Sequence, residues 1–133
     1  MVYRCTIEKE GNEYIAQFPD MTNVVTCGFT HEEALAMAKE ALDGCLESDI
    51  CHGNKIPPPS YKKGYPVTVA TNIALSIKFR ELRGERSQTD IAGKLGLSYQ
   101  AYQRLENPRK ANPTVKTLEK IARVYGRELI ISL

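Results

Sequence analysis

The amino-acid sequence predicts an α+β protein, with a small β-β-β-α domain followed by an all-helical domain flanked by short strands. Apolar residues alternate with polar ones near the N-terminus and recur at helical spacing through most of the second half. Between the two patterns, residues 53–66 contain four of the seven prolines, and proline interrupts both helices and central strands. We therefore expect one domain over residues 1–65, with this linker at its end, and a second over 66–133.

The first domain is predicted to contain three strands and one helix. Apolar and polar residues alternate over residues 3–8, Tyr14, Ala16 and Phe18 share one face of a second strand over 13–18, and a third strand is predicted over 24–29. A glycine after the first strand indicates a hairpin. Thr30, with Glu33 three positions later, has the capping-box spacing that begins a helix. One apolar stripe of that helix should lie on the sheet, and it consists of Leu35, Ala38, Leu42, Cys45 and Leu46.

The two halves of the chain differ in charge. Residues 1–66 carry six Lys and Arg against ten Asp and Glu, whereas residues 67–133 carry twelve against six. A basic half favours nucleic acid as a partner. An acidic half favours a basic partner or is a solvated surface. The asymmetry therefore predicts a different partner for each half.

The second half is predicted to hold four helices within residues 71–125. Short strands over 66–70 and 128–133 should flank them, and these strands are our candidates for a dimer seam. The fourth helix is predicted to begin with Asn112 as its cap and Pro113 in its first turn. The first helix should turn Lys78, Arg80 and Arg83 outward.

The second and third of these helices have the pattern of a helix-turn-helix. Ala92 is small enough to let the helices approach, Gly96 permits a left-handed turn, Leu97 fills the corner, and Ser98 caps the next helix. The third helix then projects glutamine and arginine side chains, which can read base edges in the major groove. This helix-turn-helix pattern predicts that the second half of the chain binds DNA.

Residues 72–126 resemble the Xre/phage-repressor type of helix-turn-helix, on the stretches 104–107, 112–113 and 117–122. The resemblance places Tyr99, Gln100 and Arg104 at base-facing positions. Tyr99 is bulkier than the polar residue usual there, which favours contact with a sugar or a thymine methyl. The full set of DNA-binding candidates, in which Ser98 is mainly a cap and Gln88 a phosphate contact, is Gln88, Ser98, Tyr99, Gln100, Gln103, Arg104, Arg109 and Lys110.

Residues 1–60 resemble the N-terminal domain of the HicB family. The matching features, in chain order, are Gly11, Phe18-Pro19-Asp20, Thr26-Cys27-Gly28, Thr30-His31-Glu32-Glu33-Ala34 and Ile56-Pro57-Pro58-Pro59-Ser60. The resemblance implies a partial RNase H-like fold without catalytic carboxylates. It also implies an antitoxin that binds HicA, a small basic ribonuclease, blocks its catalytic histidine and, with it, represses their operon.

The negative charge of residues 1–66 suits a basic toxin and should speed association. We expect the toxin to contact the acidic face of the helix and the strand ends near Asp20. The candidate residues are Asp20, Glu32, Glu40, Asp43 and Glu47, and the alternative for the four helical residues is a solvated helix face.

Two other functions are compatible with the sequence. One is a stand-alone helix-turn-helix regulator whose first domain senses a ligand or a protein. The other is a metal-dependent nuclease using Asp20, Asp43 and Glu47, but the strand interiors supply no converging carboxylate, so we expect no enzyme.

No metal site, cofactor or membrane attachment is expected from this sequence. The four cysteines contain no C-x-x-C pair, and Cys51-His52 is the only suggestive neighbour pair. No apolar run is long enough for a membrane span, and the N-terminus lacks a signal-peptide pattern. We therefore expect a cytoplasmic protein that binds operator DNA as a homodimer or a higher homo-oligomer.

Overall fold

A computed structural model describes residues 1–133 and divides them into two compact units, Met1–Ala74 and Leu75–Leu133. The α+β prediction is confirmed. The division falls later in the chain than the predicted boundary after residue 65, because the short strand that follows the linker pairs with the first strand of the chain.

The first unit is a four-stranded antiparallel sheet with one helix, α1 (His31–Cys51), packed on one face. Gly11, at φ 60°, forms the turn of the first hairpin, as a glycine can. The strand order is β3-β2-β1-β4, and the strands are β1 (Val2–Glu10), β2 (Glu13–Phe18), β3 (Met21–Gly28) and β4 (Tyr65–Thr68).

The start of α1 is fixed by its cap and by a close approach to the sheet. The Thr30 hydroxyl accepts a hydrogen bond from the Glu33 amide at 3.0 Å, which confirms the predicted cap. A Cβ on Gly28 would lie 2.6 Å from the Ala34 nitrogen, so only glycine allows this contact. The buried stripe consists of Ala34, Ala38, Leu42 and Leu46, while the predicted Leu35 and Cys45 are half-buried.

Side chains of α1 cover the outer edge of β4. Lys39 Nζ donates to the Thr68 carbonyl at 2.7 Å, and the Asp43 carboxylate accepts from the Ala70 amide at 3.0 Å. The same two side chains form an ion pair with an N–O distance of 3.1 Å. Two backbone groups within the predicted dimer seam over residues 67–70 therefore already have partners in the same chain, and the seam itself stays a prediction.

The proline-rich linker folds back onto the first unit. Tyr3 Oη donates to the Pro57 carbonyl, and Arg4 donates to the Gly64 carbonyl at 3.1 Å. The Asp20 carboxylate accepts from the amides of Ser60 and Tyr61, both at 2.9 Å, and from the Ser60 hydroxyl at 2.8 Å. These hydrogen bonds, chiefly the one from the Tyr61 amide, lower the pKa of Asp20.

Replacing Asp20 by alanine is expected to release the linker from the sheet, because three hydrogen bonds to residues 60–61 are lost. Trypsin should then cut after Lys62 and Lys63 several times faster than in the unchanged protein, as measured by limited proteolysis. Glu13→Ala, on the same sheet but away from the linker, is the control and should not change the rate. Equal cleavage of all three proteins would show that Asp20 does not hold the linker.

The second unit is helical, and α2 (Thr71–Arg83) leads into it from the first. It continues with α3 (Gln88–Leu95), α4 (Tyr99–Leu105) and α5 (Val115–Val124). The core is one cluster, made of Phe79, Ile91, Ala92, Leu95, Tyr102, Leu105 and Ile121. The apolar positions of α3, α4 and α5 confirm the predicted helical spacing, whereas Phe79 of α2 was not predicted to face inward.

Two sequence predictions for the second unit are wrong. The cap of α5 is Thr114, whose hydroxyl accepts from the Thr117 amide at 3.1 Å, and not Asn112. Residues 128–133 form no strand in the single chain, since a strand needs a neighbour and no strand pairs with this segment.

Candidate nucleic-acid interface

The turn between α3 and α4 has the geometry that its sequence predicts. Gly96 takes the left-handed conformation at φ 66°, and Leu97 N–H bonds back to the Ala92 carbonyl at 2.9 Å, which closes the end of α3. The Ser87 hydroxyl accepts from the Asp90 amide at 3.0 Å, and that of Ser98 accepts from the Ala101 amide at 3.1 Å. Both serines are therefore helix caps.

The outer face of α4 carries the predicted base-reading residues. Tyr102 and Leu105 point into the core and are buried, whereas Tyr99 keeps 42% of its surface exposed. Gln100, Gln103 and Arg104 are also exposed. Three long polar side chains on one short helix leave many donors and acceptors facing solvent, which is the chemistry that base edges in the major groove require.

A shallow concavity connects α4 with the loop that follows it. It is lined by Gln100, Gln103, Arg104, Asn107 and Lys110. Four of these are predicted DNA-binding residues. Asn107 is not, although its side chain accepts from the Arg109 amide at 3.0 Å and thereby shapes the loop. The structure thus brings Lys110 next to the predicted base-reading residues, and Arg109 is exposed.

Gln88 lies at the first turn of α3 and contacts a buried carboxylate. Its Nε2 lies 3.4 Å from Glu106 Oε1, which also accepts from Arg83 Nη2 at 3.0 Å. Arg83 Nε donates to the other Glu106 oxygen at 2.7 Å, so the arginine grips the carboxylate with two bonds. The prediction that Arg83 points outward is wrong, because its side chain is needed to neutralise Glu106.

Arg83 and Glu106 form an ion pair although both side chains are mostly buried. Burial acts to raise the pKa of Glu106, but hydrogen bonds, chiefly from Arg83, hold that pKa below its ordinary value. The hydrogen bond to Glu106 raises the pKa of Arg83 in turn. Burial raises the pKa of neighbouring Tyr102 well above its ordinary value. The Glu106 carboxylate is thus ionised at neutral pH and fixes the position of Gln88.

The predicted toxin-binding residues fall into two groups in the first unit. Asp20 and Asp43 accept hydrogen bonds from backbone amides of their own chain, so they hold structure together. Glu32 and Glu40 are exposed on α1, and Glu47 is half-buried there. The helix face therefore offers fewer uncommitted carboxylates than the sequence suggested.

The histidine, cysteine, aspartate and glutamate side chains nowhere form a group of three that could hold a metal ion. All four cysteines are free, with Cys5 buried and Cys27 and Cys51 exposed. No helix combines the length and the apolar character needed to cross a membrane.

Comparison with known proteins accounts for both units. A family described as "HicB_like antitoxin of bacterial toxin-antitoxin system" matches residues 2–80, and a family described as "Helix-turn-helix" matches residues 78–131. The chain belongs to the HicB-like antitoxin family. Antitoxin HicB 1 of Photorhabdus laumondii is 31% identical to it over 100% of this chain and 87% of its own length.

Two further HicB antitoxins are similar over most of their length. Antitoxin HicB 2 of the same organism is 33% identical over 79% of this chain and 77% of its own. Antitoxin HicB of Escherichia coli K12 is 29% identical over 87% of this chain and 86% of its own length. This HicB-like protein is therefore an antitoxin with a helix-turn-helix DNA-binding domain.

Proposed function

We propose that this antitoxin neutralises a small basic HicA-like ribonuclease through its first unit and represses its own operon through its second. The observation that carries the proposal is the coexistence of an acidic HicB-like unit and a basic helix-turn-helix unit in one chain. Binding, and not catalysis, is the proposed action. Asp20 and Asp43, two of the carboxylates a nuclease would need, are held by backbone amides instead.

Operator recognition is proposed to reside on α4 and its following loop. Gln100 and Arg104 would read bases, Tyr99 would contact a sugar or a thymine methyl, and Gln103 would contribute at the edge of the site. Gln88 would touch a phosphate from the start of α3, where the positive end of the helix dipole favours an anion. Its contact with Glu106 supports this role because it pre-positions the amide.

The experiment that tests the antitoxin role is to look for a small open reading frame beside this gene and to co-express its product, followed by affinity purification and a growth assay; the lack of such a frame would count against the role. A stable complex and restored growth are expected. If expression of the neighbouring protein is harmless, or no complex forms, the chain is instead a stand-alone regulator with an unidentified partner for its first unit.

Replacing Arg109 and Lys110 by alanine is expected to weaken binding to all DNA sequences alike. Each contact with a phosphate releases about one counterion, so the slope of log K against log salt should fall by about two. Fluorescence anisotropy at four salt concentrations measures it. An unchanged slope would exclude both residues as phosphate contacts. Lys39→Ala, in the first unit, is the control and should leave the slope as it is.

The C-terminal segment 128–133 is the second predicted candidate for a dimer seam. Ile130 and Ile131 expose 78% and 63% of their surface. Apolar and polar residues hardly alternate in this segment, but it is rich in residues that favour strands. Pairing with the same segment of a second copy would cover these side chains. It would also place two helix-turn-helix units on two half-sites.

Replacing Ile130 and Ile131 by serine is expected to convert the dimer to a monomer in sedimentation experiments. Affinity for a full operator should fall by about 100-fold, because the two half-sites are then bound independently. Affinity for one half-site should not change. Met37→Ser, an exposed apolar residue of α1, serves as the control. A variant that remains dimeric would place the seam elsewhere.

A further inference from the structure

One face of the sheet in the first unit has no covering element. Residues that pair across neighbouring strands share a face, and the pairs Glu10–Glu13, Glu8–Ile15 and Gln17–Val25 place these side chains opposite α1. We call this surface the open sheet face. None of these six residues is buried, whereas Cys5, Ala16 and Phe18 on the other face are fully or almost fully covered.

The open sheet face has an apolar part. Val25 exposes 55% of its surface and Ile15, on the neighbouring strand, is half-buried, whereas Val2, at 40%, lies toward the opposite end of β1. Antiparallel sheets commonly leave one face to solvent, but that face is then normally polar. Neighbouring apolar side chains that stay accessible on such a face are compatible with contact to another protein.

Carboxylates lie at the hairpin end of the same face. Glu10 is directly opposite Glu13 in the register, and Glu8 lies two residues before Glu10 on the same strand. Like charges directly opposite each other destabilise a strand pair. A cationic partner at this end would remove that repulsion. The one cation on the face, Arg4, already donates to the Gly64 carbonyl at 3.1 Å.

The outer face of α1 fits a basic partner less well. The Asp43 carboxylate is paired with Lys39 at 3.1 Å, and both side chains also bond to backbone groups at the β4 edge. Glu32 lies in the first turn, where the helix dipole already stabilises its charge. Of the exposed predicted carboxylates of α1 only Glu40 lies beyond the first turn, whereas the open sheet face carries three exposed carboxylates, Glu8, Glu10 and Glu13.

We propose that the open sheet face is the surface on which the basic toxin docks, with Val25 and Ile15 in the apolar contact and Glu8, Glu10 and Glu13 meeting lysine or arginine side chains. This inference rests on the proposed antitoxin function and names its surface. It replaces the helix face and Asp20 as the site of first choice.

The test compares two double variants of the full-length chain. Glu10→Lys with Glu13→Lys reverses the charge of the open sheet face and keeps a like-charged cross-strand pair, so the fold should be affected little. Glu32→Lys with Glu40→Lys makes the same change on α1. Binding of the purified neighbouring protein is followed by surface plasmon resonance at low and moderate salt. The sheet variant should associate at least about tenfold more slowly at low salt, and the helix variant should behave as the unchanged protein.

The apolar contact has its own matched pair. Val25→Ser should raise the dissociation rate about tenfold or more, whereas Val115→Ser, at the same 55% exposure but in the second unit, should not. Slower association of the helix variant alone would move the toxin to α1 and overturn the proposal. Unchanged binding by both double variants and by Val25→Ser would also overturn it. If the unchanged protein does not bind at all, the proposed function itself is contradicted. That outcome differs from failure of the docking surface, in which the unchanged protein still binds.

Discussion

Alanine in place of Glu106 is expected to destabilise the second unit by about 2–4 kcal/mol, because it leaves the Arg83 guanidinium partly buried without a counter-charge. The Glu106 side chain is 7% exposed and that of Arg83 20%. The remaining exposure of Arg83 gives it some access to water, which keeps the expected loss below that of a fully buried ion. Urea unfolding monitored by circular dichroism measures the change in the free energy of unfolding.

A paired replacement separates the charge effect from lost packing. Arg83→Met combined with Glu106→Leu removes both charges and should be less destabilised than Glu106→Ala alone, because no unpaired charge remains. Glu119→Ala, exposed on α5, is expected to change stability by less than about 0.5 kcal/mol. A loss of that small size for Glu106→Ala would show that the pair does not support the fold.

The same pair gives the unit a defined response to acid. The pKa of Glu106 in the folded chain is below its ordinary value, so its stabilising contribution is present above the unfolded-state pKa of about 4.3. That contribution is lost as the pH falls through the folded-state pKa. Stability of the unchanged protein should therefore fall in this window more steeply than that of the Arg83→Met, Glu106→Leu variant.

Replacing Gln100 and Arg104 by alanine is expected to abolish preference for the operator over unrelated DNA. Each side chain with paired bonds to a base contributes about 1–3 kcal/mol of discrimination, so the double variant should lose about two to four orders of magnitude in operator affinity. Both side chains are exposed on α4, and the melting temperature should stay unchanged.

The control for this variant is Arg123→Ala. Arg123 is exposed near the end of α5 and does not line the concavity, so only a small, sequence-independent loss is expected. Quantitative gel shifts on the operator and on a scrambled duplex supply both numbers. Retention of operator preference by the Gln100, Arg104 double variant would place base readout on another surface.

Helix ends that depend on contacts within a few residues could be predicted from the sequence. Thr30, Gly96 and Ser98 each act through groups within a few residues, and the structure confirms all three. The start of α5 was mispredicted because Asn112-Pro113 and Thr114 both satisfy the pattern of a helix start. Which of these side chains accepts a hydrogen bond from the Thr117 amide depends on the path of the loop, and a sequence pattern does not describe that path.

Polar contacts between residues far apart in the chain could not be predicted from sequence patterns. Arg83 and Glu106 are 23 positions apart, and Asp20 and Ser60 are 40 apart. No periodicity links residues so distant, and a surface arginine and a buried one look alike in a helix pattern. The pairing of β4 with β1 was missed for the same reason, since its register depends on the linker folding back.

One chain is proposed to carry two separable activities, and a single strain can test both. The neighbouring protein is expressed under an inducible promoter, a reporter is placed behind the operator, and the antitoxin carries Gln100→Ala and Arg104→Ala. Growth should still be protected while repression of the reporter is lost. Loss of protection together with repression, in a variant that is folded and present at normal levels, would contradict it.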